Sequence, residues 1–285
     1  MKEKKEKEQR LGQEDNLPST RWQLLGDTVR FRFWDLLLVS LLTLVFYLPV
    51  LAWLIFCSLS DLLDFNNIPS ILMTYGIAII FVMIAGLGMS GLFYFSKKLA
   101  WGEGASAAAD FFEGIKKNAP MFLAIYFVIG LLYLILRLDI ASLVNLSGLS
   151  GWALGALEGV SYTLFFLFLI ALFFVQTQTI LYQGGFFHLF WNGIKFVFGG
   201  FLTNVPIFLA FFAFFLCFEF IPYSPVIYIV MGIEGLFYFG FSAFFFTLYS
   251  DSLFDKSINP SQYPEIVRKG LRKPTDPNSD GKVDL

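Results

Sequence analysis

The chain of 285 residues is 57% hydrophobic, 19% aromatic and only 15% charged, with a formal net charge of −2. Soluble domains average roughly 45–50% apolar and about 25% charged, so a water-soluble fold has too little interior for this surface, which includes 37 Phe. One His and two Cys leave no material for a zinc cluster or a disulfide framework, and no Walker lysine loop or Ser/His/Asp set is available for catalysis.

Residues 1–32 read as a charged N-terminal tail. Its bases alternate with Glu and lack aromatic neighbours near the start, which describes a solvated arm rather than a nucleic-acid binder. Six apolar stretches follow, near 34–58, 70–95, 119–137, 157–182, 201–221 and 225–249. Each is long enough to cross a bilayer as a helix, which needs about 20 residues. The runs are continuously apolar rather than alternating, so they predict helices and exclude a β-barrel. The first run is too long for a signal-peptide core and no small-residue cleavage site follows it. The expected fold is an all-α membrane protein: six transmembrane helices within 33–250, then a C-terminal tail, 251–285, that is partly disordered.

Orientation follows from the bases. The N-terminal tail, the second-to-third connection (Lys97, Lys98, Lys116, Lys117), the fourth-to-fifth (Lys195) and the C-terminal tail hold nearly all of them. The opposite side has Arg137 alone, beside Asp61, Asp64 and Asp139. Positive charge stays on the cytoplasmic side, so both termini are expected there, with short outer loops near 61–69, 138–156 and 222–224.

Three short strings repeat in order. GMSGLFYF at Gly88–Phe95 returns as GIEGLFYF at Gly232–Phe239, FFEGIK at Phe111–Lys116 as FWNGIK at Phe190–Lys195, and NAPMFLA at Asn118–Ala124 as NVPIFLA at Asn204–Ala210. The spacing predicts three like-oriented helical hairpins with cytoplasmic amphipathic segments near 105–117 and 186–198. Phe111, Phe112, Ile115 and Phe187, Phe190, Trp191, Ile194 beside lysines fit helices lying in the headgroup plane. Parallel repeats of this kind differ from the inverted repeats common in secondary transporters.

The stretch FWDLLLVSLLTLVFYLPVLAW (Phe33–Trp53), with its mid-helix Pro, resembles the first helix of the YesL-like family of bacterial membrane proteins. GLFYFSKKLAWGEGASAAADFFEGIKKNAP (Gly91–Pro120) is similar to that family's other recurring stretch: an aromatic helix end, two bases, an acidic-Gly turn and a Phe-Phe basic patch. The resemblance covers the first half of the chain, and the long charged N-terminal tail departs from it as an extension. That family has no established biochemical activity, and the resemblance implies a bacterial plasma-membrane protein associated with carbohydrate uptake.

Within the spans, Glu234 stands out. It lies near the middle of the sixth stretch, where an ionisable side chain costs roughly 2.5–3.5 kcal/mol on insertion scales and is a functional candidate by default. Ser90, Gln178 and Glu234 each precede a Tyr (Tyr94, Tyr182, Tyr238) by four residues, which puts each pair on one helix face. They are expected either to form a central polar cluster or to serve packing, with Glu234 protonated and hydrogen-bonded to a neighbouring helix. Cys57 and Cys217 read as apolar packers, with a disulfide between them as the other reading. His188 reads as an interfacial residue, and Glu158 and Glu219 as snorkelling acids near the outer boundary, either within reach of Arg137. The Gly151, Gly155, Gly159 stripe predicts close helix packing. Asp276, Asn278, Asp280, Gly281 and Asp284 match part of a calcium loop, but the chain has no Glu at its twelfth position. No cofactor or metal is expected, the bilayer is the certain partner, and two functions stay open: a non-enzymatic accessory of a sugar transport complex, or a small-solute transporter or channel built on Ser90, Gln178 and Glu234.

Overall fold

A computed structural model describes residues 17–60, 62, 64, 67–145, 150–182, 184–209 and 225–272, with side chains at all of these except 225–234. The described chain is helical and contains no strand. Five helices lead: α1 (Arg21–Phe31), α2 (Phe33–Leu59), α3 (Ile68–Ala100), α4 (Ala107–Val144) and α5 (Gly151–Leu181). Then come α6 (Phe186–Gly199), α7 (Phe201–Leu209), α8 (Pro225–Ser257), a short α9 (Asn259–Gln262) and a 3-10 turn at Pro264–Ile266. Helices α2 to α5 are each long and apolar enough to cross a membrane. The pair α6 and α7 makes a fifth if its two arms, bent by 98°, are taken as one span. This is an all-α protein with the long apolar helices of a membrane protein.

Local chemistry sets the helix ends. Thr20 caps α1 by accepting the Gln23 amide at 3.1 Å, and Gln23 reaches back to the amide of Ser19, one residue before the cap, at 3.1 Å. Ser150 caps α5 through the Ala153 amide at 3.3 Å. Gly102 ends α3 in a left-handed turn, φ 63°, that disfavours a side chain. Pro49 and Pro120 lie inside α2 and α4 without ending either helix.

Four features depart from the sequence expectation. The N-terminal tail, expected to be a solvated arm through residue 32, contains α1, whose Arg21, Leu24 and Thr28 are buried. The segment near 105–117 is not a separate interfacial helix, because it continues without a break into the third span as α4. The corresponding segment at 186–198 is separate. There the Gly199-Gly200 pair interrupts the helix, whereas no glycine follows Gly114 before Pro120. Helix α4 also runs on to Val144, which shortens the loop expected at 138–156. Finally, α8 extends to Ser257 and the chain folds back on the bundle through Arg272, where a tail was expected from 251.

The core sits toward one end of the bundle. Buried side chains crowd the last turns of α3 (Met89 to Ala100), of α5 (Ile170 to Gln178) and of α8 (Phe239 to Phe254). The opposite end of α5 is largely exposed, from Gly151 to Val160. Helix contact at the packed end is close because glycine lies at the crossings. A Cβ on Gly91 would stand 2.6 Å from the Phe111 carbonyl oxygen, and one on Gly114 2.5 Å from Tyr94 Cβ, so α3 and α4 interlock in both directions. One on Gly193 of α6 would meet the Ala171 carbonyl of α5 at 2.6 Å. Gly240 of α8 abuts Leu36 and Ser40 of α2, and its amide donates to Ser40 Oγ at 2.7 Å.

Candidate functional site

The chemically richest part of the described molecule is the end where α3 and α8 terminate. Asp251 and Asp255 are four residues apart on one face of α8. That face is turned toward α1, and the Arg21 guanidinium enters between them. Its Nη2 donates to Asp255 at 2.5 Å and its Nη1 lies 3.6 Å from Asp251. All three side chains are at most 8% exposed. Asp251 also accepts the Trp101 indole N–H at 3.2 Å, and Asp255 accepts the Arg268 amide at 3.0 Å and the Asn259 amide group at 2.7 Å.

A second layer closes over this one. The Lys97 and Lys269 ammonium groups each lie 4.0 Å from the Trp101 ring centroid, and Lys269 pairs with Glu103 at 3.0 Å. Gly270, with φ 83°, packs against the Ala100 carbonyl, where a side chain has no room. Arg268 itself adopts φ 54°, uncommon for a residue with a side chain. Its guanidinium donates to the Ser19 carbonyl at 3.1 Å, and the Arg272 amide donates to Pro18 at 2.9 Å. The first and last described segments are thus clasped together on the ends of α3 and α8.

Two carboxylates share one buried guanidinium here, and burial pushes Asp251 up to about 6 against the opposing pull of Arg21. Beside the clasp, Lys98 bridges Asp110 at 2.6 Å and Glu113 at 3.4 Å, and Lys117 joins Glu113 at 2.6 Å and the Tyr94 hydroxyl at 3.0 Å. The hydrogen bond from Lys117 holds the Glu113 carboxyl down at about 2. Burial lowers Lys97, with Glu103 opposing.

Of the residues singled out from sequence, Ser90 is fully buried in α3 and donates to the Gly114 carbonyl of α4 at 3.0 Å. Gln178 is fully buried in α5 and donates to Phe174 in its own helix and to Leu189 of α6 at 3.3 Å. No hydrogen bond joins Ser90 to Gln178 among the described residues. Position 234 lies in α8, and its side chain is outside the described set. A side-chain contact between spans lies elsewhere: Tyr126 of α4 donates to Gln176 of α5 at 3.3 Å, and the Tyr47 side chain of α2 reaches Tyr126.

The remaining candidates fall as follows. His188 is exposed and meets Asn192 at 3.3 Å. Arg137 is buried with its guanidinium 5.7 Å from the Tyr75 ring centroid. Gly151, Gly155 and Gly159 have open space around them among the described residues, so the stripe makes no close helix contact there. Cys57 is buried and free, while Cys217, Glu219 and the calcium-loop-like tail from 276 lie outside the described residues. Among the described residues no group of three His, Cys, Asp or Glu is placed to hold a metal ion.

Sequence reasoning missed Arg21, Trp101, Asp251, Asp255 and Lys269. The i,i+4 acids past the apolar part of the last helix were the one visible signal, but nothing local pairs them with a base 234 residues away. No family profile matches the chain, and comparisons with curated proteins and with solved structures find none similar to it.

Proposed function

We propose that this chain is a non-enzymatic, multi-pass plasma-membrane protein of bacteria, accessory to a carbohydrate-uptake system, that works through its clasped, charged end. The observation carrying this reading is where its described polar groups go. Inside the apolar helices, Ser90, Gln178 and Ser40 bond to backbone groups of neighbouring helices and lock the bundle. The ionic groups gather instead at one end, around two ordered chain segments. A locked bundle with an organised polar face is the design of a docking component. The link to sugar import comes from the resemblance of Phe33–Trp53 and Gly91–Pro120 to the YesL-like family.

The same reading takes the chain as six spans in three like-oriented hairpins, with both termini in the cytoplasm. In support, the glycine of each repeated FxxG string makes the same contact. Gly114 packs on Ser90 and Tyr94, and Gly193 on Ala171 and Val175, again four residues apart. The crossing of Gly240 on Leu36 and Ser40 is a third of this kind, between the last helix and the first long one. Helix α6 turns Phe187, Trp191 and Phe198 outward, as an interfacial helix would, and the lysines near the clasp fit the cytoplasmic side.

Crosslinking in native membranes, followed by purification of the full chain, tests the proposal. Sugar-permease subunits should come with it, and a chain recovered alone would refute the reading. The second reading, a small-solute transporter using Ser90, Gln178 and Glu234, draws on the buried Tyr126–Gln176 pair as polar chemistry within the spans. Solute flux in proteoliposomes that Glu234→Gln abolishes would establish it over the first.

A further inference from the structure

Two carboxylates and one guanidinium, all buried, leave the Arg21, Asp251, Asp255 group one negative charge in excess. Among the described residues, few other charged or titratable groups face it. Lys97 of α3 acts on Asp251 from a distance but is committed to Glu103 and the Trp101 ring. Tyr182, at the end of α5, bonds to Asn259 at 2.5 Å. From the C-terminal turn, Arg268 supplies its backbone amide to Asp255 and directs its guanidinium to Ser19, while Lys269 is paired with Glu103. No cation among them completes a second pair, and a proton is the smallest species that cancels the excess.

We propose that Arg21, Asp251 and Asp255 form a proton-responsive clasp, which holds α1 and the C-terminal turn on the bundle more tightly in acid than at neutral pH. The proton goes to Asp251, whose contact with Arg21 is the longer of the two, 3.6 Å against 2.5 Å for Asp255. Protonated, Asp251 still accepts the indole N–H of Trp101, while its repulsion of Asp255 disappears and Arg21 stays with Asp255. With α1 released, Asp251 faces water and returns toward its ordinary acidity. An acid whose pKa is higher in the closed form than in the open one favours closure as pH falls. The window runs between the ordinary value of 3.8 and about 6, so closure is strongest at the acid end and weakens as pH rises through 6. The first and last described segments meet at this point, so a proton taken up here alters how both are held.

Amide exchange of the full chain in lipid nanodiscs, corrected for intrinsic rates, reads the clasp directly. Between about pH 7.5 and about pH 5, protection of residues 21–31 should rise about tenfold, given the spread between 3.8 and about 6. Asp251→Asn, which keeps an acceptor for Trp101 and removes the charge, should show the high protection at both pH values. Asp255→Asn provides a second test if the first variant folds poorly, because with one carboxylate left the excess is gone and the pH response should shrink. Protection that falls in acid would overturn the proposal, as would an unchanged pH response in both variants.

Discussion

The crossing of α3 and α4 makes a quantitative prediction for Gly114→Ala. The new Cβ would start 2.5 Å from Tyr94 Cβ and 3.0 Å from the Ser90 carbonyl oxygen, neither the free end of a flexible side chain. Ordinary carbon contact needs about 3.5–4.0 Å, so the helices must part by about 1 Å. The hydrogen bond from Ser90 to Gly114, 3.0 Å long, would then stretch beyond bonding distance. Overpacking of this kind costs about 1–3 kcal/mol and the lost bond about 1 kcal/mol, against about 1 kcal/mol of helix propensity gained by Ala. The net expectation is a loss of about 1–3 kcal/mol. Gly155→Ala is the control: among the described residues nothing lies within 4 Å of that position, so the propensity gain applies and the variant should match or exceed wild type. Unfolding of both variants by denaturing detergent, followed by loss of helical ellipticity, measures the difference. A Gly114→Ala protein as stable as Gly155→Ala would refute the close crossing.

Further expectations rest on the same geometry. Arg21→Met leaves two buried carboxylates unpaired, a change that typically costs about 3–5 kcal/mol. It should loosen α1 and open the backbone at Arg30 to trypsin at neutral pH, less so near pH 5, where Asp251 takes up a proton; resistance equal to wild type would contradict the buried pairing. Gln178→Leu removes the donor to Leu189 and should weaken the hold of α5 on α6 by about 1 kcal/mol, read as faster amide exchange in 186–199 with α3 unaffected. In a Cys217→Ser background, Cys57 should resist maleimide until the protein is unfolded, because its side chain is fully buried. Lys117→Met, which breaks an exposed i,i+4 pair with Glu113, should leave the melting temperature nearly unchanged.

Much of the fold was legible in the residues. Bilayer-length apolar runs must be helical, because hydrocarbon offers a backbone no other partner, and each of the first four lies on one of α2 to α5; α2 keeps its expected bounds to within one residue, whereas α4 begins at Ala107 and ends at Val144 against an expected 119–137. The Gly199-Gly200 break was legible too, as the separation of the 186–198 segment. Periodicity could not tell that 107–117 continues into the third span, since Lys116, Lys117 and Pro120 read as a boundary while Asn118 and Ser90 both bond to Gly114 and carry the helix through. The same limit applied to Ser90 and Gln178. Their position one turn before a Tyr suggested a shared centre, yet each side chain was drawn to the nearest carbonyl of the helix beside it.

The charged ends show the division most clearly. Lys and Glu near the N-terminus look alike in sequence whether they are solvated or not, and Arg21 carries no local mark of being buried. Its partners lie on the last long helix, and a pairing across 234 residues is set by which helices become neighbours. Membrane-crossing helices follow from local composition, because lipid acts on each segment separately. The clasp required the assembled bundle, because an ion pair is stable in the interior only where packing brings both charges and their hydrogen-bond partners to one place.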